Sequence, residues 1–170
     1  MSKKRIVIIG GVAAGMKTAS RLRRLDSLSE IVVVERSQRF SYGACALPYF
    51  IEGLFEDLDE VRQTPAGVIR DEVFFERVKG VQVLSGCEAV EINRQQQRVL
   101  VRCLESQGSE YLRYDHLVLA TGCRPIMPAL AGIELSGVLP LKTMDDAEKI
   151  DQLASNARHA VIVGAGVIGL

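Results

Sequence analysis

The feature that most constrains this chain is an apolar run near its start that leads through a glycine-rich loop into an amphipathic helix. Residues 6–9 are continuously apolar, which suits a strand buried on both faces of a parallel sheet. The loop GGVAAG follows at residues 10–15, and helical spacing of apolar residues continues to about Leu25. A second apolar strand is predicted at residues 30–34. This order predicts a βαβ unit of about 30 residues with a right-handed crossover.

The rest of the chain predicts a β excursion and then a return to alternating strand and helix. A helix is predicted at 70–77 and should end near Gly80. The remaining predicted elements are strands at 81–84, 89–92, 98–104, 111–114 and 115–120, a helix at 143–153 with Thr143 as its N-cap, and a buried strand at 160–163. We therefore expect an α/β fold. In it, a Rossmann-like domain with a parallel sheet and a β-meander excursion precedes the start of a second Rossmann-like domain.

Two glycine loops follow predicted strands in the same frame. The loop at residues 164–169 matches the GxGxxG pattern of dinucleotide sites, whereas the first loop has Val12 at the position of the middle glycine. Glu35 ends the second strand, 20 residues after Gly15, where a carboxylate can accept hydrogen bonds from a ribose. The combined spacing favours a nucleotide site over the alternative, a structural glycine turn beside a surface glutamate.

Charge and cysteine usage exclude several classes of protein. Lys plus Arg and Asp plus Glu each number 21, so neither a nucleic acid nor a membrane surface is an obvious partner. The opening residues imitate a secretory signal, but they continue into the amphipathic helix, and no stretch reaches the ~20 apolar residues needed to span a bilayer. The four cysteines lack metal-binding and dense disulfide spacing, which predicts no metal and a cytoplasmic location. We expect Cys87, Cys103 and Cys123 to be inert residues in or beside strands.

The fourth cysteine lies in a different context, the segment SYGACALPYF at residues 41–50. Cys45 stands among small residues, and a short helix is predicted at 47–52, with Pro48 in its first turn and Gly53 ending it. A helix N-terminus lowers the pKa of a thiol, and the thiolate is the nucleophilic form of cysteine. The segment by itself leaves open whether Cys45 is a nucleophile or a small packed residue.

Motifs of a known family occur in the expected order along the chain: the loop at 10–15, Glu35, SYGACALPYF at 41–50, LVLATGCRP at 117–125 and VIVGAGVIG at 161–169. They resemble the N-terminal part of the pyridine nucleotide-disulfide oxidoreductases. Within that family they are similar to the single-cysteine (class III) branch, which includes coenzyme A disulfide reductases, polysulfide and persulfide reductases, NADH oxidases and NADH peroxidases.

The resemblance implies a glutathione-reductase-like architecture. An incomplete FAD-binding domain would occupy residues 1–126, and the beginning of an NAD(P)-binding domain would occupy residues 127–170. The chain would then be the N-terminal piece of a longer homodimeric enzyme in the cytoplasm and would be inactive by itself. The second loop ends one residue before the chain does, which likewise predicts a truncated gene product or an excised piece.

The resemblance also implies roles for individual residues. Cys45 would be the single redox cysteine, since Phe50 stands where two-cysteine members carry its partner, and it would alternate between thiolate and mixed disulfide, persulfide or sulfenic acid. Residues implied to bind FAD are Gly10, Gly11, Ala13, Ala14, Gly15, Glu35, Arg36, Ala89, Ala120, Thr121 and Gly122. Residues implied to bind NADH or NADPH are Gly164, Gly166 and Gly169. Residues implied to contact the nucleotide part of coenzyme A are Lys17, Arg21, Arg24 and Ser41, the alternative for the arginines being a solvated helix face.

These expectations predict an FAD-dependent NAD(P)H:disulfide oxidoreductase that reduces coenzyme A disulfide, a polysulfide or a persulfide. NADH oxidase or peroxidase is one alternative, which Ala13 disfavours because those relatives carry a histidine at the matching position. A noncatalytic flavin-binding fragment is the other. Ala44 replaces an asparagine found in some relatives, which leaves the sulfur substrate open. The choice between NADH and NADPH is open as well.

Overall fold

The computed structural model describes residues 3–164, 166 and 168–169, which form two compact units. The first unit contains the described chain up to Tyr42 together with Arg62–Gly122. The second contains Gly43–Val61 and the described residues from Cys123 onward. In chain order the elements of the described residues are β1 (Arg5–Ile9), α1 (Ala14–Leu25), β2 (Glu30–Val34), α2 (Leu47–Ile51), α3 (Glu72–Lys79), β3 (Gln82–Leu84), β4 (Cys87–Asn93), β5 (Arg98–Cys103), β6 (Ser109–Arg113), β7 (His116–Leu119) and α4 (Met144–Ala154).

A parallel sheet in the order β3-β2-β1-β7 is the centre of the first unit. Ile8 of β1 pairs with Val33 on one side and with Val118 on the other. Successive side chains of a strand point to opposite faces, so Ile8 and Val7 belong to two different apolar clusters, one on each face. The predicted strand at residues 6–9 is therefore confirmed, and it is buried on both sides, as parallel strands usually are.

The strands β4, β5 and β6 form an antiparallel sheet in the same unit. Val99 and Val101 of β5 and Leu112 of β6 are buried, and they join the apolar cluster on one face of the parallel sheet. A register shift between Ala89 and Glu91 leaves one extra residue in β4, which is the pattern of a β-bulge. The predicted β excursion is thus confirmed as a separate meander that covers the parallel sheet.

Helix α3 ends at Gly80 and α4 is capped by Thr143, as predicted, whereas the Asp71 cap of α3 was not predicted. At the start of α3 the backbone N–H of Phe74 donates to the Asp71 carboxylate at 2.8 Å, and Gly80 ends the helix with a φ of +61°. At the start of α4 the N–H of Asp146 donates to the Thr143 hydroxyl at 3.2 Å, and the N–H of Thr143 donates to the Asp146 carboxylate at 2.8 Å. This reciprocal capping box pairs N–H groups that the start of a helix otherwise leaves free.

One predicted strand is not found: residues 160–163 are irregular. Val161 and Val163 are 91% and 84% exposed, so the prediction of a buried strand is wrong in this structure. A strand needs a neighbour to accept and donate its backbone hydrogen bonds. Within the described part of the chain, no strand pairs with these residues.

Candidate functional site

The glycine loop between β1 and α1 is held in a conformation that excludes side chains at two positions. Gly10 has a φ of +104°, and a Cβ atom there would lie 2.2 Å from the carbonyl oxygen of Ala120. A Cβ atom on Gly15 would lie 1.7 Å from the carbonyl oxygen of Gly10. Both separations are far below van der Waals contact, so the loop can close this tightly only with glycine. The same close approach is what brings backbone N–H groups near a bound pyrophosphate.

The start of α1 offers free N–H groups. Its N-cap residue, Ala13, makes no side-chain capping hydrogen bond, and the first turn carries no acidic residue. Ala13 and Ala14 are both exposed, whereas Met16 and Ala19 anchor the helix in the core. A helix start with unpaired N–H groups and the positive end of the helix dipole favours an anionic group. The residues present therefore fit the phosphates of a nucleotide.

Glu35 lies at the end of β2, directly beside the loop. Its Oε2 accepts a hydrogen bond from the N–H of Gly11 at 2.6 Å, and its Oε1 accepts one from the N–H of Ser37 at 2.8 Å. These two contacts fix the orientation of the carboxylate. Each oxygen retains a further acceptor position, which could receive a hydroxyl group of a ribose.

The segment after β7 closes the other side of the loop. The N–H of Ala120 donates to the carbonyl of Ile9 at 2.8 Å, and Thr121 and Gly122 are exposed beyond it. The structure therefore brings the Ala120 backbone against Gly10, although the two positions lie far apart in sequence.

Two further predicted nucleotide residues lie near β4. Arg36 is largely exposed, and its guanidinium lies 3.8 Å from the carboxylate of Glu88. Ala89 lies in β4, and its side chain packs against an apolar cluster. Ala89 could therefore offer a ligand chiefly its backbone.

Cys45 belongs to the second unit and lies in a short 3-10 turn, Ala44–Ala46, just before α2. Its side chain is exposed, whereas Leu47 and Phe50 of α2 are buried and anchor the segment. The predicted short helix is confirmed with an end at Ile51 rather than residue 52. An exposed thiol on an anchored turn disfavours the alternative of a small packed cysteine.

The predicted coenzyme A contacts fall into two groups. Lys17, Arg21 and Arg24 are all exposed on α1, spaced so that they share one side of the helix. None of the three forms an ion pair with another described residue. Ser41, in contrast, is buried with a φ of +56°, and its N–H donates to the carbonyl of Gly11 at 2.9 Å. Ser41 therefore supports the glycine loop and is not part of the cationic surface.

Gly164 and Gly169 of the second glycine loop have a geometry similar to that of Gly10 and Gly15 in the first. Gly164 has a φ of +110°, and a Cβ atom on Gly169 would lie 2.1 Å from the Gly164 carbonyl oxygen and 3.1 Å from Cγ2 of Ile162. A Cβ atom on Gly15 would meet Gly10 and Ile8 in the same way, at 1.7 and 3.3 Å. Gly166 is exposed. The described glycines thus have this geometry even though the residues before them are not a strand.

The structure places two of the remaining cysteines together, which the sequence did not predict. Cys87 of β4 lies directly opposite Cys103 of β5 in the antiparallel register. Burial raises the pKa of Cys87 to about 12, and a hydrogen bond with Cys103 raises it in the same direction. Cys123 is exposed. Only a correct strand register in the hairpin could have identified the pair from sequence.

The part of the chain that the structure describes contains neither a membrane-spanning helix nor a cluster of metal-ligating side chains. None of its helices is long and apolar enough to cross a membrane. Its histidine, cysteine and acidic side chains do not gather into a cluster that could hold a metal ion.

Comparison with known proteins gives a consistent result. Residues 4–170 match the family described as "Pyridine nucleotide-disulphide oxidoreductase". The chain is 32% identical to the NADH oxidase of Methanocaldococcus jannaschii over 98% of its own length and 36% of that protein. It is also 32% identical to the coenzyme A disulfide reductase of Staphylococcus haemolyticus, again over 98% of the chain and 36% of the relative. The chain therefore spans about a third of the length of these curated relatives.

A solved structure supports the same relationship. The NAD-dependent persulfide reductase of A. fulgidus superimposes with a TM-score of 0.85 at 41% identity. The match covers 89% of this chain and 28% of that protein. The Rossmann-like α/β fold expected from the sequence is therefore confirmed.

Proposed function

Because the chain belongs to the pyridine nucleotide-disulphide oxidoreductase family, we propose that it contributes to an FAD-dependent NAD(P)H:disulfide oxidoreductase of the coenzyme A disulfide or persulfide reductase type. Cys45 is its single redox cysteine. The observation that carries the proposal is an exposed thiol, on an anchored turn, in a chain whose first loop is a tight glycine turn at the start of a helix. The names of the similar proteins support the substrate class.

The first loop holds FAD in this proposal. Gly10, Gly11 and Gly15 let the backbone approach the pyrophosphate, and the free N–H groups at Ala13 and Ala14 bind it. Glu35 binds the ribose. Arg36, Ala89 and the segment of Ala120, Thr121 and Gly122 complete the contacts. FAD, when bound, supplies two-electron transfer between a nicotinamide and a sulfur. Gly164, Gly166 and Gly169 bind the pyrophosphate of NADH or NADPH.

Cys45 supplies the covalent chemistry. Its thiolate attacks one sulfur of the substrate disulfide, a bond forms between the two sulfurs, and the other half of the substrate leaves as a thiolate. The mixed disulfide on Cys45 is then two electrons more oxidised than the starting thiolate, so the enzyme needs a reductant to complete a cycle. An exposed position suits this role because a bulky substrate must reach the sulfur.

Exposed cationic residues on α1 support the proposed substrate class. Lys17, Arg21 and Arg24 offer positive charges, unpaired among the described residues, that suit the phosphates of coenzyme A. Ser41 contributes to the same site by supporting the first glycine loop through its hydrogen bond to the Gly11 carbonyl. We further propose a cytoplasmic homodimer, with residues 1–126 as the FAD-binding domain and residues 127–170 as the beginning of the NAD(P)-binding domain.

Replacing Cys45 tests the proposal. In the complete enzyme to which this chain contributes, Cys45→Ser should lower NADH-dependent reduction of coenzyme A disulfide to the background level, because a serine hydroxyl cannot form the mixed disulfide. The matched control is Cys123→Ser, which removes the other exposed cysteine and should leave the rate unchanged. The measurement is the anaerobic release of free thiol. Retained activity in Cys45→Ser would exclude the mechanism.

The resemblance to an NADH oxidase supports a second candidate. An oxidase would consume oxygen with NADH in the absence of any disulfide, whereas the proposed reductase needs the disulfide. A noncatalytic flavin-binding fragment would show flavin absorbance after purification but no bleaching with NADH. Oxygen uptake and flavin absorbance, measured on the same sample, separate the three functions.

A further inference from the structure

Cys87 and Cys103 lie opposite each other on the neighbouring strands β4 and β5. Their backbone N–H groups do not donate to each other. The N–H of Cys87 donates to the carbonyl of Glu35 at 2.9 Å, and the N–H of Cys103 donates to the carbonyl of Gly108 at 2.9 Å. They therefore form a non-hydrogen-bonded pair, in which the Cα atoms are about 4.5 Å apart and the side chains are close. Disulfides span Cα separations of about 4.4–6.8 Å.

The two thiols share one environment but differ in exposure. Both pack with the same apolar cluster, where Cys87 is buried with 6% of its surface exposed and Cys103 is partly buried. Burial raises the pKa of Cys87 to about 12, as do its hydrogen bond with Cys103 and the negative charges of Glu110 and Glu105. Cys87 thus stays protonated at neutral pH. The more accessible Cys103 is the residue that a reagent meets first.

We propose that Cys87 and Cys103 are an oxidative modification site, at which a peroxide converts the two thiols into a cross-strand disulfide. The Cys103 thiol loses its proton to water, its thiolate attacks one oxygen of hydrogen peroxide, and the O–O bond breaks to give a sulfenic acid and a hydroxide, which takes up the released proton and becomes water. The Cys87 sulfur then attacks the sulfenic sulfur, the S–O bond breaks, and the departing hydroxide takes the Cys87 proton. Two thiols lose two electrons, and one peroxide becomes two waters.

The site adjoins the candidate nucleotide residues without including them. Cys87 is joined to the Glu35 backbone by the hydrogen bond described above, and Glu88, the next residue, contacts Arg102 at 3.0 Å and Arg36 at 3.8 Å. A disulfide bond between Cys87 of β4 and Cys103 of β5 holds the two strands in register next to Glu35. It also closes a loop of residues 88–102, which restricts the unfolded chain. None of this requires Cys45, so the inference stands apart from the proposed function.

Peptide mapping tests the site directly. The variant Cys45→Ser Cys123→Ser keeps only the proposed pair and is treated with hydrogen peroxide while folded, then alkylated and digested with trypsin. We expect peptide 80–94 linked to peptide 103–113, and dithiothreitol should separate them. The midpoint of thermal unfolding should rise by about 5 °C on oxidation. The matched control is Cys103→Ser in the same background, which should form no linked peptide and show no rise.

Two results would overturn the proposal. In the first, Cys103 is oxidised to a sulfinic acid while Cys87 remains fully alkylatable after denaturation. In the second, the linked peptide forms only when the protein is oxidised in denaturant. Either result means that the folded strands do not bring the two sulfurs together. Because the variant lacks Cys45, neither result bears on the disulfide reductase proposal.

Discussion

At the scale of single residues, Gly10 constrains the candidate nucleotide site most strongly. Its φ of +104° lies in a region that side chains rarely adopt, and the Ala120 carbonyl occupies the space that a Cβ atom would need. Backbone strain and a backbone clash therefore coincide at this position. Val12, which replaces the middle glycine of the motif, is half-buried in the same loop.

Gly10→Ala should separate these two effects when it is compared with Gly137→Ala. Gly137 has a similar φ of +93°, but nothing lies within 4 Å of the position that a Cβ atom would take there, so its substitution adds strain without a clash. We expect Gly137→Ala to lower the free energy of unfolding by about 1–2 kcal/mol and Gly10→Ala by more than about 3 kcal/mol. Urea unfolding measures both. Equal losses would show that the loop relaxes away from Ala120.

At the scale of elements, the turn between α1 and β2 is ordered by one carboxylate. The N–H groups of Leu28 and Ser29 donate to Asp26 at 2.9 and 3.0 Å, and the Ser29 hydroxyl donates to it at 2.5 Å. The N–H of Asp26 itself donates to the Leu22 carbonyl, and the extended backbone of Asp26 then ends α1. The side-chain hydrogen bond from Ser29, followed by the backbone hydrogen bonds from Ser29 and Leu28, lowers the pKa of Asp26.

This turn gives a pH-dependent prediction. Because the pKa of Asp26 is lower in the folded state, its contribution to stability is present above its ordinary value of 3.8 and is lost as the pH falls through the folded-state value. Asp26→Asn should therefore lower the free energy of unfolding at pH 7. The difference in this free energy between the variant and the wild type should become smaller below about pH 4. Unfolding free energies measured between neutral and strongly acidic pH check this. A difference in unfolding free energy that does not change with pH would show that the charge of Asp26 is not involved.

At the scale of the whole molecule, a net charge of zero hides a local concentration of positive charge. Lys17, Arg21 and Arg24 are exposed together on α1 and are unpaired among the described residues. Any attraction for an anionic ligand would therefore come from this helix and not from the protein's overall charge. The domain boundary at residue 126 stays a prediction.

Arg21→Glu tests the cationic surface. In the complete enzyme of the proposed function, the substitution should raise the KM for coenzyme A disulfide about tenfold while leaving kcat within about twofold, because it removes the proposed phosphate contact without changing Cys45. A small uncharged disulfide should show no change in KM. The matched control is Arg94→Glu, in an exposed turn outside this helix. Equal effects on both substrates would assign Arg21 to the solvated helix face.

Much of the fold was predictable because it depends on local patterns. The strand at residues 6–9, the helix that Gly80 ends and the Thr143 cap follow from apolar spacing and from the backbone needs of helix ends. The loop glycines were predictable for the same reason, since only glycine permits the turn. The irregular conformation of residues 160–163 was not predictable in this way, because a strand needs neighbouring strands to pair its backbone hydrogen bonds.

Strand register and burial were decided by tertiary structure. Apolar periodicity predicts that β4 and β5 exist, but it does not say which residue faces which, so the sequence left Cys87 and Cys103 as separate inert residues. The family resemblance groups Ser41 with the cationic residues, and only the packed turn shows it buried against the glycine loop. Local conformation depends on neighbours in the chain and can be inferred from sequence. Contacts between distant segments depend on how whole elements pack, and that information is spread over the entire core.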